Sequence, residues 1–531
     1  MARSRPASAL RDSDLAVIVA GAAVFLLALG ALAGLGLASL LFGRGWVWPP
    51  GVAGAVRELG ALATGDPARG LDAVHARRVP GGFAVWAVVG VVELAVLALV
   101  VALARVVSQT RRPRSDRATR AEAAAALGRR RSATSAAWPL GRSRHPHGVQ
   151  LWVPFGRTAG VIGPAGSALA GSALAHAALA APDGLLQASM DPDAVLLTLA
   201  RRSRDGRPVA VCDPFGLLPG LPPLVWDPLG GCVDATVASR RARAFTAGTV
   251  LSAASASGDA LGARRGAADA AKVLQGYLHA AALTGRTLDH VMAWVADPLG
   301  DRTAETILSE HPHAEPHWAG LLRGAMRDSP VTVATVQQTM AMFMYRDLVR
   351  GIAPSHCQRV TDIADLIGRS GTIYLLGKDD PATPVSPLLT AIADDVLAAG
   401  RPCAAVLDAL PSTAPLPTLG HLLAERAVPV VWAAADRQDL VTCYGDDAAR
   451  AITRATDVLV QVDGDDLVVS TSAGPPIVAA AQPVEAAVLA ERDEAWTRVD
   501  EYRARRPARR DPSYAALNAA REHGLHAESS P

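Results

Sequence analysis

From Leu15 to Phe42 the chain runs for 28 residues without a charged side chain. As a helix this run is about 42 Å long at 1.5 Å per residue, against a hydrocarbon core of about 30 Å. A second run, Phe83–Ala104, is interrupted only by Glu93. The pair predicts a two-helix membrane hairpin. The first run is too long for the apolar region of a signal peptide and is followed by another span, so it is expected to stay uncleaved. Arg3, Arg5 and Arg11 precede it, and Arg105, Arg111, Arg112, Arg114, Arg117 and Arg120 crowd the end of the second run. Basic residues favour the cytoplasmic side, which places both termini in the cytoplasm of a multi-pass plasma-membrane protein. Five arginines inside Gly43–Gly82 oppose that vote. A carboxylate at membrane depth is costly, so Glu93 marks either a packing or oligomer contact or a transport pathway.

Half of the 531 residues are apolar but only 4% are aromatic. Lys272 and Lys378 are the only lysines, and the arginine- and alanine-heavy usage looks like a bias of the coding sequence. A net charge of +2 leaves no global nucleic-acid footprint. The five cysteines (Cys212, Cys232, Cys357, Cys403, Cys443) form no C-x-x-C and read as reduced core residues. His311, His313 and His317 have roughly metal-like spacing, but Pro312 and Pro316 break any helix that would gather them, which favours a solvated loop. No metal site is expected.

Residues 1–110 thus form the membrane anchor, and 111–148 a basic linker whose part from 132 to 148 reads as extended. Eleven arginines between 105 and 144 face only Asp116 and Glu122. They suit an anionic lipid surface, at about 1 kcal/mol per basic residue; contact with nucleic acid is the alternative. From 149 the pattern changes. VQLWVPF (149–155), TAGVIG (158–163), Leu185–Ser189, VAVCDPFG (209–216), TIYLLG (372–377), AAVLDAL (404–410), PVVWAAA (429–435) and DVLVQVD (457–463) are strand candidates. Several are continuous apolar runs, as parallel strands buried on both faces require. Helices Pro387–Ala399 and Leu416–Arg426 complete a βαβ rhythm. Between 234 and 350 helical patterns replace strands, an all-α insertion that divides the α/β domain into parts 149–233 and 351–470. Residues 471–531 read as a solvated charged helix, Glu485–Arg506, and a tail.

The second strand candidate runs into Gly163-Pro164-Ala165-Gly166-Ser167-Ala168-Leu169-Ala170-Gly171-Ser172, followed by a helical stretch. Strand, glycine turn and helix is the setting of a phosphate-binding loop, G-x-x-x-x-G-K-[ST]. Here the second glycine slot is Ala168, the lysine slot Leu169 and the hydroxyl slot Ala170. Backbone N–H groups of Gly163–Ser167 and the helix N-terminus still suit an anion.

The order of segments resembles the VirD4/TraG/TraD coupling ATPases of type IV secretion, in the actinobacterial branch sometimes labelled type VI. The resemblance rests on the two N-terminal spans, GPAGSALAGS, GRPVAVCDPFGLLPGLPPLVWDPLGGC, LQGYLHAAALTGRTLDHVMAWVADP, TIYLLGKDDPATPVSPLLTAIADDVL and AAVLDALPSTAPLPTLGHLLAE. It covers roughly residues 15–465. It implies a RecA-like P-loop NTPase-type parallel sheet with an all-α insertion. Relatives read apolar-apolar-apolar-D-E-A and then P-L-P-x-L. This chain keeps Asp408, the carboxylate that would position Mg²⁺, and has Ala409 where the glutamate would activate water. A γ-phosphate-sensing glutamine after the next strand corresponds to Ala435, with Gln438 nearby.

Phosphoryl transfer is largely positioning and charge neutralisation, and the missing lysine, hydroxyl and glutamate supply most of both. Lys272 and Lys378 lie in other segments, and Arg157 lies across a strand from the phosphate position. The expectation is a pseudo-ATPase with a degenerate nucleotide site at Gly163, Gly166, Ser167 and Asp408 and no catalytic residue. Bound ATP and Mg²⁺ would be weak. The resemblance implies a structural or regulatory role in a DNA-transfer or secretion assembly, at the plasma membrane. Its partners would be other copies, related ATPases or secretion proteins, and DNA. Two alternatives stay open: an active translocase with an atypical site, and a membrane scaffold that binds no nucleotide.

Overall fold

The structure, a computed structural model, describes residues 12–110, 118–128, 136–164, 166–327, 329–345, 359–378, 384–472 and 474–505. In the two long N-terminal helices the side chains described are those of 25, 27–42 and 82–97. Arg3, Arg5, Arg11, Arg111, Arg112, Arg114, Arg117, Cys357 and the tail after 505 lie outside these residues. The chain divides into two compact units, Met1–Ser115 and Asp116–Pro531.

The first unit contains α1 (Asp12–Phe42), α2 (Gly51–Ala63), α3 (Ala73–Ala76) and α4 (Gly82–Thr110). Helices α1 and α4 pack along each other. Gly30 and Gly34, one turn apart, let the backbones close: a Cβ at Gly34 would lie 2.8 Å from Cα of Val89. A Cβ at Gly30 would lie 3.0 Å from Oε1 of Glu93. The carboxylate therefore sits in the helix–helix contact, which gives the packing reading of Glu93 a physical basis. Leu35, Ala38, Leu62, Val85 and Val89 form the small core of this unit. Among the described residues no helix is long and apolar enough to cross a membrane. The two expected spans extend onto residues whose side chains are outside that set.

The second unit is built on one sheet of eleven strands: β1 (Ala137–His145), β2 (Gln150–Pro154), β3 (Ala159–Ile162), β4 (Gly184–Ser189), β5 (Val209–Cys212), β6 (Thr372–Leu376), β7 (Cys403–Leu407), β8 (Val430–Ala434), β9 (Val458–Asp463), β10 (Asp466–Thr471) and β11 (Gly474–Ala481). Their order is β2-β1-β11-β10-β9-β3-β8-β7-β4-β6-β5. The seven strands from β9 to β5 are parallel, and β2, β1, β11, β10 and β9 are joined antiparallel. Side chains alternate between two cores, as a period of two requires. Leu186, Ala188, Ile373, Leu375, Ala405, Leu407 and Trp432 enter the larger one. Leu185, Ala404, Val406, Val431 and Val161 face the other side. Both faces are covered, so the expected mixed α/β class with a parallel-dominated sheet holds.

Helices α5 (Arg120–Leu127), α6 (Ala168–Ala180) and α7 (Pro192–Arg202) precede β5. Between β5 and β6 lie α8 (Ala235–Ala247), α9 (Val250–Ser257), α10 (Ala260–Leu283), α11 (Leu288–Ala296), α12 (Thr303–Glu310), α13 (Trp318–Met326) and α14 (Pro330–Met340). No strand interrupts them among the described residues. Arg241 of α8 ties this helical part to the segment after β5. Its guanidinium donates to the carbonyls of Pro228 (2.8 Å) and Gly230 (2.7 Å) and pairs with Asp395 (2.5 Å) on the helix Ser386–Ala398. Trp226 Nε1 donates to the same carboxylate at 2.9 Å. The W-D-P-L-G-G run is thus a structural clamp.

Three elements differ from the sequence expectation. Residues 137–145, read as extended linker, form β1 inside the sheet. Pro139, Gly141 and the charged end of this strand hide its alternation, and its register shifts at Pro139/Gly141. β10 and β11 close a hairpin where the pattern weakens, because β11 opens Gly-Pro-Pro. The C-terminal helix Ala486–Arg505 is not simply solvated. Val488, Ala495 and Val499 are buried, and Trp496 Nε1 donates to Asp193 of α7 at 2.5 Å.

Candidate nucleotide site

Strand β3 lies between β8 and β9, its backbone fully paired on both sides. At its end the Gly163 N–H donates to the Ala434 carbonyl at 3.1 Å. A Cβ on Gly163 would come 2.5 Å from Cγ2 of Val462, so only glycine lets the chain leave the sheet here. Gly166 takes φ +72°, the left-handed region that glycine enters without cost. The Ser167 N–H closes the turn on the Pro164 carbonyl at 3.0 Å. Ser167 then caps α6, its hydroxyl accepting from the Ala170 N–H at 3.4 Å. The strand–turn–helix geometry expected from the sequence is therefore present, and Gly163, Gly166 and Ser167 form its turn.

The side chains that follow are not directed to chemistry. Leu169, in the lysine slot, is half-buried and packs on the apolar core that holds Trp138, Leu140 and Leu174. Ala170, in the hydroxyl slot, is buried. Arg157 donates to the Ala126 carbonyl at 2.9 Å, so it is engaged with the end of α5. Lys272 pairs with Asp269 at 2.7 Å on α10. Lys378 follows β6, with β4, β7 and β8 between that strand and β3.

Asp408 ends β7. Strands β3 and β7 both border β8, so the glycine turn and Asp408 lie at the carboxyl edge of the sheet two strand spacings apart, about 10 Å. That edge is where ligands of parallel α/β sheets bind. The Asp408 N–H donates to the Ala188 carbonyl at 2.9 Å, and Ser189 Oγ donates to its Oδ2 at 2.8 Å. Burial pushes the Asp408 carboxyl above its ordinary range, the Ser189 hydrogen bond opposes this, and Asp191 adds to it. A carboxylate positioning Mg²⁺ would be favoured in its charged form; this one is biased toward neutrality. Ala409, in the glutamate slot, has φ +44°, an uncommon conformation for a residue with a Cβ.

Ala435 directly follows β8, beside the start of the glycine turn through the Ile162–Ala434 pairing. Gln438 is exposed within the next helix, Arg437–Tyr444. Ala435, not Gln438, therefore occupies the end of the strand. The sequence reading missed Ser189, although its place at the end of the buried run Leu185–Ser189 put a hydroxyl on the same edge. Among the described residues no group of three or more His, Cys, Asp or Glu side chains is placed to hold a metal ion.

A mixed α/β domain with a parallel-dominated sheet, a glycine turn between strand and helix, and one strand between that turn and Asp408 is consistent with a P-loop NTPase fold. Among solved structures the chain is similar to the bacterial conjugative coupling protein TrwBdeltaN70 in an unbound form, at 17% identity and a TM-score of 0.42, over 58% of this chain and 70% of that one. It is also similar to the plasmid coupling protein TrwB in complex with ADP and Mg²⁺, at 16% identity and a TM-score of 0.43, over 62% and 79%. A third similarity is to TrwB with a non-hydrolysable ATP analogue, at 15% identity and a TM-score of 0.41, over 62% and 79%. No protein-family model and no curated protein matches the chain.

Proposed function

We propose that this chain is a membrane-anchored, coupling-protein-like component of a conjugative DNA-transfer or secretion system, in which the nucleotide fold is kept as a structural part and ATP hydrolysis is lost. The order of segments supports the family. Two long apolar runs at the N-terminus support anchoring in the plasma membrane, with both termini cytoplasmic. The loss of hydrolysis rests on one observation above the others: Leu169 stands in the lysine slot and packs into the core. Without that cation the β- and γ-phosphates lack their main charge partner, and Ala409 offers no base for an attacking water.

Gly163, Gly166 and Ser167 retain a turn and helix N-terminus that suit an anion, so weak nucleotide binding is compatible with this role. Asp408 would add a metal-positioning carboxylate through Oδ1, with Ser189 holding Oδ2. The structural role calls for assembly with further copies, related active ATPases or secretion proteins, with DNA as the cargo class. The test is ATP turnover by the purified full chain in detergent, with and without single-stranded DNA. No turnover above background is expected. Robust turnover abolished by Asp408→Ala would overturn the reading in favour of an active translocase.

A further inference from the structure

Helix α2, between the two long helices, buries a carboxylate and leaves two valines exposed. Its buried face carries Gly54, Glu58, Ala61 and Leu62. Its outer face carries Val52, 82% exposed, and Val56, 63% exposed. Burying a carboxylate while leaving two valines bare is unfavourable if the outer face meets only water. Around α2 the exposed aromatics gather at one end of the α1–α4 pair. Trp46 and Trp48 stack at 6.3 Å just after α1, and Phe83 and Trp86 open α4. Tryptophan rings of this kind suit the membrane–water boundary, where one edge is apolar and the other wet.

The charge fits the same boundary. Arg44, Arg57, Arg69, Arg77 and Arg78 all lie in this segment and are exposed, and none makes an ion pair among the described residues. Only Asp66, Asp72 and the buried Glu58 oppose them. Arg57 adjoins Val56, so its aliphatic stem can lie along the apolar face while the guanidinium reaches outward.

We infer that α2 and its flanking tryptophans form an interfacial platform on an anionic bilayer, with Val52 and Val56 at the acyl boundary and the five arginines among lipid phosphates. This rests on the membrane-hairpin reading and extends it to the segment between the helices. It also gives the five arginines that oppose the expected orientation a partner of their own, the lipid headgroups. Interfacial helices bind through buried apolar area together with attraction to anionic lipids.

The test places a nitroxide on the full chain at Val52→Cys, Val56→Cys or, as the hairpin control, Leu94→Cys. The chain is reconstituted in vesicles of phosphatidylcholine and phosphatidylglycerol, and the labelling of native cysteines is subtracted with the unsubstituted protein. Relaxation by oxygen and by a water-soluble nickel chelate then reports depth. Leu94→Cys is expected in the bilayer core, and the two α2 labels just below the phosphates, with oxygen access exceeding that of the nickel chelate. Fully aqueous labels on α2 beside a deep Leu94 label would overturn the platform and leave the hairpin standing. An aqueous Leu94 label would overturn both. Spin–spin broadening at Val56 that grows with protein-to-lipid ratio would assign the face to a second copy and overturn the lipid proposal.

Discussion

Ser189 Oγ donates to Asp408 Oδ2 at 2.8 Å, so the hydroxyl that ends β4 holds the carboxyl that ends β7. In a working site this carboxylate would stay charged and would position a divalent cation through water. Here it is buried, and its proton affinity is raised. Burial therefore works against the charged form that Mg²⁺ would need, while the Ser189 hydrogen bond favours it. The turn and the strand order fit the proposed nucleotide fold, while Leu169 and Ala409 stand where the family resemblance places a lysine and a glutamate.

Asp408→Asn is therefore expected to raise thermal stability at neutral pH. The carboxyl prefers its protonated form in the fold, so its contribution is complete below the ordinary value of 3.8. That contribution falls as pH rises, because the unfolded chain ionises first, and it levels off above the folded-state value. The neutral amide has no such dependence. Melting of the detergent-solubilised protein across pH 4 to 8 should show the variant's advantage growing with pH. Ser189→Ala should cost about 1–3 kcal/mol at neutral pH by leaving Oδ2 without its donor. A variant advantage that does not change with pH would contradict the raised proton affinity of Asp408.

Leu169→Lys with Ala170→Thr returns a cation and a hydroxyl to the start of α6. Gly166 and the Ser167 cap already place a helix N-terminus after β3, so affinity for a fluorescent ATP analogue with Mg²⁺ should rise. A charge-assisted contact of about 1.5–3 kcal/mol corresponds to roughly a 10- to 150-fold gain. Turnover should stay at background because Ala409 is unchanged. Anisotropy titration of both proteins checks the gain. Equal affinities would mean that the turn does not present its N–H groups to an anion.

Much of the parallel sheet was legible in the sequence, because strands buried on both faces are written as apolar runs. TIYLLG became β6 and PVVWAAA became β8, each buried along its whole length. The antiparallel extension was harder to read. In β1 only Trp138, Leu140, Gly141 and Ser143 are buried, between a proline and two arginines, and its partner β11 is distant in sequence. At the site, the strand–glycine–helix order pointed to Gly163 and Gly166, and only the family resemblance pointed to Asp408. The Ser189–Asp408 contact could not, since it joins strands more than 200 residues apart whose adjacency depends on the crossover between them.

Asp395 accepts from three groups, the guanidiniums of Arg240 and Arg241 and the Trp226 indole. Asp395→Ala removes all three contacts and leaves Arg241, 4% exposed, without its counter-charge. Breaking one partner of a buried pair typically costs about 3–5 kcal/mol. Arg241 keeps its bonds to the Pro228 and Gly230 carbonyls, so the low end of that range is expected. The loss should appear as a lower melting temperature together with faster hydrogen exchange in α8 and in residues 226–232. Asp395→Asn, which can still accept from Trp226, should cost less. Similar losses for the two variants would remove charge from the account.

Glu58 is buried on α2, neither carboxyl oxygen has a hydrogen-bond partner among the described residues, and Gly70 packs directly against it. Burial, with Asp66 adding to it, pushes its pKa up from 4.5 to about 7. Below 4.5 the folded and unfolded chains both carry the proton, and the helix keeps its full stability. Between 4.5 and about 7 the unfolded segment ionises while the folded one does not, so stability falls and then levels off. Glu58→Gln should be insensitive over this range and more protected above it. Hydrogen exchange of the α2 amides, expressed as the ratio of wild type to variant at each pH, cancels the intrinsic pH dependence of exchange. The ratio should climb from pH 4.5 to about 7 and then stay constant. A ratio that stays flat would show that Glu58 is ionised in the fold and has a counter-charge there.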